Sequence, residues 1–319
     1  MNPLGRWLLI GCALVAGSGC RTVPLLGAWS ALATEPYPGK QDDIFFLNEQ
    51  LGWYVNGEGN IYKTSDGGRS WTRKLQKPGT YFRSVGFVDA SHGYAGNLGP
   101  GYFEGVTDSV LLYETWDGGE TWAPAKDFPF PAGAGVCSID ILHAPSGQAF
   151  VHVAGRVGGP AFLARSTDGG AHWVLVDLRP LTAMILDVHF VDPDTGFIAG
   201  ASDADAEKSH ARVLKTTNGG QSWTSVYEST RPFEITWKES FPTAEVGYVT
   251  VQNYNPDAAV SRRLVARLKT AARAGRNCPW PTIMPSRSSA SASPRPKSAG
   301  WELLGVVTRP PTVARRGPG

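Results

Sequence analysis

The sequence contains few cysteines and no apolar run long enough to cross a membrane. Four cysteines occur in 319 residues, and two of them, Cys12 and Cys20, lie among the first twenty. The other two, Cys137 and Cys278, indicate no intramolecular disulfide framework. The apolar stretch at residues 7–16 is shorter than the ~20 residues that a membrane-spanning helix needs. The sequence therefore predicts neither a disulfide-stapled fold nor a transmembrane helix.

Motifs that bind cofactors or metals are also scarce. The Gly-Gly pairs lie in turns and not between a strand and a helix, so they do not predict a phosphate-binding loop. Asp187 and His189 share one face of a strand, but two ligands are too few for a metal site. The acidic insertion of Asp203, Asp205 and Glu207 lacks the glycine and the ligand spacing of a calcium loop. We expect no cofactor and no bound metal.

The feature that is abundant is a repeated eight-residue box. It reads Ser/Thr-x-Asp/Asn-Gly-Gly-x-Ser/Thr/His-Trp and occurs at residues 64–71, 115–122, 166–173 and 216–223. The copies lie about fifty residues apart, and a fixed period of that size indicates one supersecondary unit that is repeated.

Each box has the composition of a tight β-hairpin. A short apolar strand precedes it, the Asx side chain accepts hydrogen bonds from turn amides, and glycine adopts positive φ without strain. The tryptophan opens the return strand and covers the turn with a large ring. We therefore interpret the box residues as structural and not catalytic: Asp66, Trp71, Asp117, Trp122, Asp168, Trp173, Asn218 and Trp223.

A second signature precedes each box. A phenylalanine is followed six residues later by glycine and then by an aromatic residue, starting at Phe46, Phe87, Phe190 and Phe241. The stretch from Ile141 to Gly147, followed by Gln148, is a weaker copy. This signature predicts strand, turn and strand, so each repeat holds four short strands, as in a propeller blade. The prediction is an all-β propeller over residues 40–267, with about four complete blades and part of a fifth in a truncated ring.

The two signatures together resemble the Asp-box, or BNR, repeat as it occurs in photosystem II stability/assembly factors and their bacterial relatives. Asn218 replaces the box aspartate and His172 replaces its Ser/Thr. The resemblance implies a non-catalytic, exported module that binds a protein partner or supports assembly. The same box also occurs in sialidases and xyloglucan hydrolases, so the alternative is an extracytoplasmic glycoside hydrolase.

The N-terminus has the layout of a secretory signal. Arg6 precedes the apolar stretch, and small residues precede Cys20, which predicts a lipoprotein signal at residues 1–20 with lipidation of Cys20. A linker would follow at residues 21–39. Two alternatives stay open, which are lipidation of Cys12 and ordinary cleavage after Ala33. The expected location is the periplasm or cell envelope, with membrane attachment only through a lipid.

The last fifty residues do not continue the repeat. Residues 262–319 hold twelve lysines and arginines against one acid, Glu302, whereas residues 1–261 carry a net charge of −9. One interpretation is a disordered basic tail. We favour a reading-frame error over residues 268–319, because residues 269–275, shifted by one nucleotide, can encode Asp-Gly-Gly-Thr-Gly-Trp where a fifth box is due. On that interpretation the tail is not a nucleic-acid-binding arm.

A binding site is expected where the innermost strands meet around the propeller axis. The candidates are Asp43, Arg83, Asp140, Asp187 and Lys238, and the alternative is that these polar residues are structural or solvated at strand ends. A protein is the expected partner and a glycan is possible. A glycosidase needs two carboxylates ~5–9 Å apart, for which Asp43 and Asp187 are the candidates. A sialidase usually carries an Arg-Ile-Pro near its start, and this sequence has none.

Overall fold

The computed structural model describes residues 34–39, 41–126, 128–257, 259–261, 263–269 and 300–306. The predicted signal, Cys20 and most of the region assigned to a frameshift lie outside these residues. Twenty strands form five four-stranded antiparallel sheets, and each sheet follows the chain order. The described residues include no helix, so no helix in that part of the chain could cross a membrane.

Each sheet is one blade, and its first strand is the innermost. Blade one contains β1 (Gln41–Phe46), β2 (Gly52–Asn56), β3 (Asn60–Thr64) and β4 (Thr72–Gln76). Blade two contains β5 (Phe82–Phe87), β6 (Gly93–Asn97), β7 (Leu112–Thr115) and β8 (Ala123–Pro124). Blade three contains β9 (Ser138–His143), β10 (Ala149–Ala154), β11 (Phe162–Ser166) and β12 (Val174–Asp177).

Blade four contains β13 (Met184–Phe190), β14 (Gly196–Ala201), β15 (Ala211–Thr216) and β16 (Thr224–Glu228). Blade five contains β17 (Glu234–Thr243), β18 (Val246–Asn253), β19 (Arg263–Lys269) and β20 (Gly300–Val306). The first strands contact one another in succession from β1 to β5, β9, β13 and β17, as the prediction of inner strands requires. The all-β propeller predicted from the repeat is confirmed.

The spacing of phenylalanine and glycine that recurs between blades has a steric cause. The ring of Phe190 lies flat against Gly196, and a Cβ at that glycine would come within 2.7 Å of the ring. Phe46 and Gly52 show the same contact, at 2.6 Å. The phenylalanine also meets the box tryptophan of its own blade edge-on, as Phe190 meets Trp223 at 5.9 Å. The two signatures therefore pack against each other within one blade.

The aromatic residue after that glycine joins neighbouring blades. Trp53 of blade one stacks on Phe87 of blade two at 3.4 Å, and its indole N–H donates to the carbonyl of Gly118 in the second box. Phe197 of blade four stacks on Phe241 of blade five at 3.5 Å. The hydrophobic core lies between the blades as a series of such clusters and not inside any one sheet.

The prediction for blade three was wrong in its register. Ser166, which opens the third box, pairs with Val151, as Thr64 pairs with Gly52 in blade one. The structural counterparts of the Gly-aromatic pair are therefore Val151 and His152, and not Gly147 and Gln148. The longer turn hides this equivalence in the sequence. His152 takes the aromatic role and stacks on Phe190 at 3.7 Å.

Blade five is built differently from the other four. β19 pairs with β20, which begins about thirty positions after β19 ends. β20 lies within the segment that the sequence assigned to the tail. Among the described residues, no hydrophobic cluster joins blade five to blade one, whereas clusters join all the other neighbouring pairs. The ring of blades is therefore not closed by apolar packing in this part of the chain.

Candidate functional site at the propeller axis

The box carboxylates lie in their turns, at the end of the third strand of each blade. Asp66 accepts hydrogen bonds from the Thr64 hydroxyl at 2.7 Å, and from the Ser70 amide and hydroxyl at 2.9 and 2.6 Å. These donors, the Ser70 hydroxyl first, lower the pKa of Asp66 to about 2. Asp117 and Asp168 make the same set of contacts, and Asn218 reproduces it with its amide group. The turn uses both oxygens of each carboxylate, which leaves them no chemical role.

A ring of polar side chains occupies one position on each inner strand. The position lies three residues before the signature phenylalanine, or before Ile141 in blade three, and holds Asp43, Ser84, Ser138, Asp187 and Lys238. Asp43 Oδ2 accepts a hydrogen bond of 3.1 Å from the Val85 amide of the next blade. Asp187 Oδ2 accepts one of 3.0 Å from the Glu239 amide. An inner strand has an unpaired edge, so each acceptor satisfies an amide that would otherwise lack a partner.

Serine performs the same task in blade three. The Ser138 hydroxyl accepts a hydrogen bond of 3.2 Å from the Val188 amide and donates one of 2.8 Å to Asp187 Oδ1. The Ser84 hydroxyl of blade two is buried and makes no hydrogen bond to another described residue. Three of the four junctions between successive blades thus carry the same side chain to backbone bond. Asp43 and Asp187, two of the predicted binding residues, therefore link neighbouring blades, as Ser138 does.

Lys238 occupies the fifth position and cannot accept a hydrogen bond. Its Nζ lies 3.2 Å from Asp187 Oδ1 and 3.5 Å from Asp43 Oδ1. The lysine side chain is 41% exposed, so the cluster opens to solvent. Burial lowers the pKa of Lys238, but the charges of Asp187 and Asp43 more than offset burial, and its pKa is raised. The charge pair with Asp43 links blade five to blade one.

Arg83 and Asp42 form a second pair beneath this cluster. Arg83 is 4% exposed, and its Nη1 lies 3.5 Å from Asp42 Oδ1 and donates to the Asp42 carbonyl at 3.3 Å. Its guanidinium also lies over the Trp237 ring, 5.6 Å from the centroid. Burial lowers the pKa of Arg83, whereas the neighbouring acidic groups raise it, with a net increase. Arg83 therefore joins three blades and is not available to an external carboxylate.

Asp140 lies apart from the lysine and binds two histidines. Its Oδ2 is 3.2 Å from His152 Nδ1 and accepts the Phe190 amide at 3.2 Å, and its Oδ1 is 3.4 Å from His189 Nδ1. Burial raises the pKa of Asp140, but the bonds to His152 and His189 outweigh it and lower the pKa overall. The pKa of His189 is raised in turn, because Asp140 outweighs burial. Asp140 therefore adds a second side chain to backbone bond between β9 and β13.

Glu239 follows Lys238 on the innermost strand of blade five. Both of its carboxylate oxygens are buried and accept no hydrogen bond of good geometry from a described residue. Burial, and then the charges of Asp187 and Asp140, raise the pKa of Glu239 well above its usual range. A β-bulge between Thr236 and Glu239 interrupts the regular alternation of side chains along β17.

The axial cluster brings four of the five predicted residues close to one another and assigns each a partner. Lys238 contacts Asp43 and Asp187, and the charge of Arg83 lies close enough to affect the pKa values of Asp43 and Lys238. Asp140 lies on β9, two residues after Ser138, which binds Asp187. No group of three His, Cys, Asp or Glu side chains within the described ranges could hold a metal ion. In the acidic insertion, Asp205 pairs with Lys208 at 3.1 Å on the surface.

Comparison with known proteins supports the propeller and one family resemblance. The chain is 31% identical over 141 residues to the photosystem II assembly lipoprotein Ycf48 of Synechococcus sp. (strain CC9902), which covers 44% of this chain and 34% of that protein. It superposes on an ancestral GH74 enzyme with a TM-score of 0.53, at 18% identity, covering 73% of this chain and 30% of the enzyme. YCF48 from Cyanidioschyzon merolae gives a TM-score of 0.44 at 16% identity, covering 70% and 71%. No protein-family model matches the chain.

The chain spans about a third of the length of the first two proteins. At 18% identity the likeness to the GH74 enzyme concerns the fold, and a propeller fold supports many functions. The box repeat and the stacking between blades indicate a propeller, and the matched segment resembles a photosystem II assembly lipoprotein. The chain is an all-β propeller similar to photosystem II assembly factor-like proteins.

Proposed function

We propose that this chain is a non-catalytic protein-binding module that supports the assembly of a partner. The observation that carries the proposal is the state of the axial carboxylates. Asp43 and Asp187 each accept a backbone amide of the next blade, and they share one ammonium group. A glycosidase needs one carboxyl that is free to transfer a proton and a second that is free to attack or activate water. Here both carboxylates are engaged in holding blades together.

The similarity to a photosystem II assembly lipoprotein supports the same proposal, although the match covers 44% of the chain. The partner is proposed to be a protein and not a nucleic acid, because residues 1–261 are acidic overall. The test is crosslinking of the full chain in its native cell envelope, followed by measurement of the assembled partner after the chain is deleted. We expect the crosslinked protein to lose assembly without the chain. Normal assembly of every crosslinked protein after deletion would refute this function.

A glycoside hydrolase is the second candidate, and one observation favours it. The Asp43 and Asp187 carboxylates converge on the same Nζ, and burial, which Lys238 opposes, raises the pKa of Asp43. A carboxyl with a raised pKa beside a second carboxylate is the arrangement that glycosidases use. The fold is also that of an ancestral GH74 enzyme.

Hydrolysis of xyloglucan and of sialosides by the purified full chain decides between the two candidates. We expect no sugar release above a heat-denatured control, for the wild type and for Asp43→Asn and Asp187→Asn alike. Both variants should instead unfold more easily, by about 1 kcal/mol for each weakened inter-blade bond. Release of sugar that is abolished in Asp187→Asn but retained in the exposed control Glu49→Gln would establish the hydrolase in place of the binding module.

We also propose export and lipid attachment at Cys20, on the sequence pattern alone. The test is metabolic labelling with an alkyne fatty acid and recovery of the chain in the membrane fraction. Labelling that is lost in Cys20→Ala and kept in Cys12→Ala is expected. The reverse pattern would place the lipid on Cys12. A wild-type chain that takes up no label would indicate ordinary cleavage without lipid attachment.

A further inference from the structure

A cleft lies where the first two blades meet, at the ends of the strands away from the boxes. It encloses about 570 Å³ and is bordered by the β2–β3 turn, the link from β4 to β5, and the β6–β7 loop. Ligand sites commonly have volumes of about 300–1,000 Å³. This cleft is separate from the axial cluster, because it shares none of its residues.

Hydrogen bonds hold the walls of the cleft in place. The Gly79 carbonyl accepts the amides of Thr107 and Asp108, each at 2.9 Å. The Thr80 hydroxyl donates to Asp108 Oδ2 at 2.5 Å, which ties the link between blades to the β6–β7 loop. Gly57 lies so close to the Tyr81 ring that a Cβ would come within 2.5 Å of it. The shape of the cleft is therefore built by the fold before any ligand binds.

The lining combines aromatic rings with carboxylates. Tyr81 and Phe103 stack at 4.9 Å, and Phe103 is 42% exposed, so part of its ring faces solvent. Glu58 and Glu104 are exposed at the rim, and neither forms an ion pair with a described residue. Among the described residues, no lysine or arginine lines the cleft. Lys77, adjacent in sequence, lies 3.9 Å from Asp108 and over the Tyr113 ring.

We infer that this cleft receives a lysine- or arginine-bearing extended segment of the protein partner. The inference rests on the proposed function, since it names the chemistry of that partner. The face of Phe103 that is not stacked on Tyr81 attracts a cationic group through the ring quadrupole, and the exposed carboxylates of Glu58 and Glu104 attract it through charge. A neutral glycan would use the rings but leave both carboxylates without a counter-charge. The net charge of −9 over residues 1–261 also steers a basic segment toward the chain.

The test is fluorescence anisotropy of the full chain with a labelled Gly-Arg-Gly-Arg-Gly peptide. The matched probe replaces each arginine with citrulline, which has nearly the same shape and no charge. We expect the arginine peptide to bind at least about tenfold more tightly, and its affinity to fall as salt is raised. The double variant Glu58→Gln/Glu104→Gln should lose about tenfold in affinity, and Phe103→Ala a few-fold.

The matched control is Glu49→Gln/Glu207→Gln, which removes the same charge from exposed positions outside the cleft. It should change the affinity by less than about twofold. Equal binding of both peptides, or an equal loss in both double variants, would overturn the inference. Binding of a xyloglucan oligosaccharide that persists in Glu58→Gln/Glu104→Gln would also overturn it. A wild-type dimer that Phe103→Ala dissociates would do the same, because the cleft would then hold a second copy of the chain. If any variant unfolds, the proton shifts of Tyr81 and Phe103 in the wild type on peptide addition replace it, and unchanged shifts refute the site.

The same variants separate this inference from the proposed function. Crosslinking of the partner that survives in Glu58→Gln/Glu104→Gln would leave the binding module intact and reject the cleft. Loss of crosslinking in that variant, with retention in the control, is the expected result.

Discussion

The surroundings of a single carboxylate decide whether its pKa is lowered or raised in this chain. Asp66 lies at the surface, yet three donors in its own turn keep its pKa at about 2. Glu239 is buried without a hydrogen bond of good geometry, and its pKa is raised well above the usual range. Local donors act on the first residue and burial acts on the second, so sequence proximity explains Asp66 and does not explain Glu239.

Glu239 makes the stability of the chain depend on pH. A carboxyl whose pKa is higher in the folded state than in the unfolded state weakens the fold as pH rises above the unfolded value. Glu239→Gln removes that effect. We expect the variant to be close to the wild type at pH 5 and more stable by about 1–2 kcal/mol at pH 8, in chemical unfolding at both values. The control Glu49→Gln should show no such difference, and an equal gain at both pH values would contradict the burial of Glu239 as the cause.

At the scale of the element, the repeated signatures are explained by contacts within a blade and between neighbours. The signature phenylalanine leaves room only for glycine opposite it, and the aromatic residue after that glycine stacks on the next blade. The box tryptophan packs edge-on against the phenylalanine of its own blade. These partners recur at fixed sequence separations, so the strands and their order could be predicted from the sequence. Blade three is the exception, because its longer turn moved the equivalent residues to Val151 and His152.

The phenylalanine–glycine contact can be tested in blade four. In Gly196→Ala the new methyl group meets the Phe190 ring, which is 2% exposed and cannot move away easily. We expect a loss of about 1–3 kcal/mol in thermal or chemical unfolding. Phe190→Leu alone should also be destabilising, but Gly196→Ala/Phe190→Leu should be more stable than the sum of the two single effects predicts. Additive losses would show that the contact is not the reason for glycine at this position.

For the whole molecule, the junction between blade five and blade one differs from the others. The other junctions carry apolar clusters, and three of those four also carry the side chain to backbone bond, whereas this one has the ion pair of Lys238 with Asp43. Lys238 of blade five reaches Asp43 of blade one, and Arg83 pairs with Asp42 of blade one and lies over the Trp237 ring of blade five. The outer strands of blades five and one share no hydrophobic cluster in the described ranges. Two cations, Lys238 and Arg83, thus connect the inner strands of these blades.

Lys238→Met tests this closure. Removal of the ammonium leaves Asp43 and Asp187 without the positive charge that they share, so we expect a loss of about 1–2 kcal/mol at pH 7. The loss should shrink near pH 3, because the pKa of Asp43 is raised and its protonation removes the repulsion. Unfolding curves at the two pH values measure it. The surface control Lys208→Met, whose lysine is 72% exposed, should cost no more than about 0.5 kcal/mol. A loss in Lys238→Met that does not depend on pH would point to packing and not to charge.

The sequence by itself determined the blade architecture, the inner strands and the structural role of the box residues. These features follow from local turn chemistry and from short-range periodicity, which a single sequence displays. Only the tertiary structure decided what the axial residues do, because Asp43, Asp187 and Lys238 are brought together from blades one, four and five. The same is true of the cleft, where Glu58 and Glu104 become neighbours only because blade one packs against blade two. Long-range charge pairing and burial depend on the three-dimensional arrangement, and no spacing in the sequence encodes them.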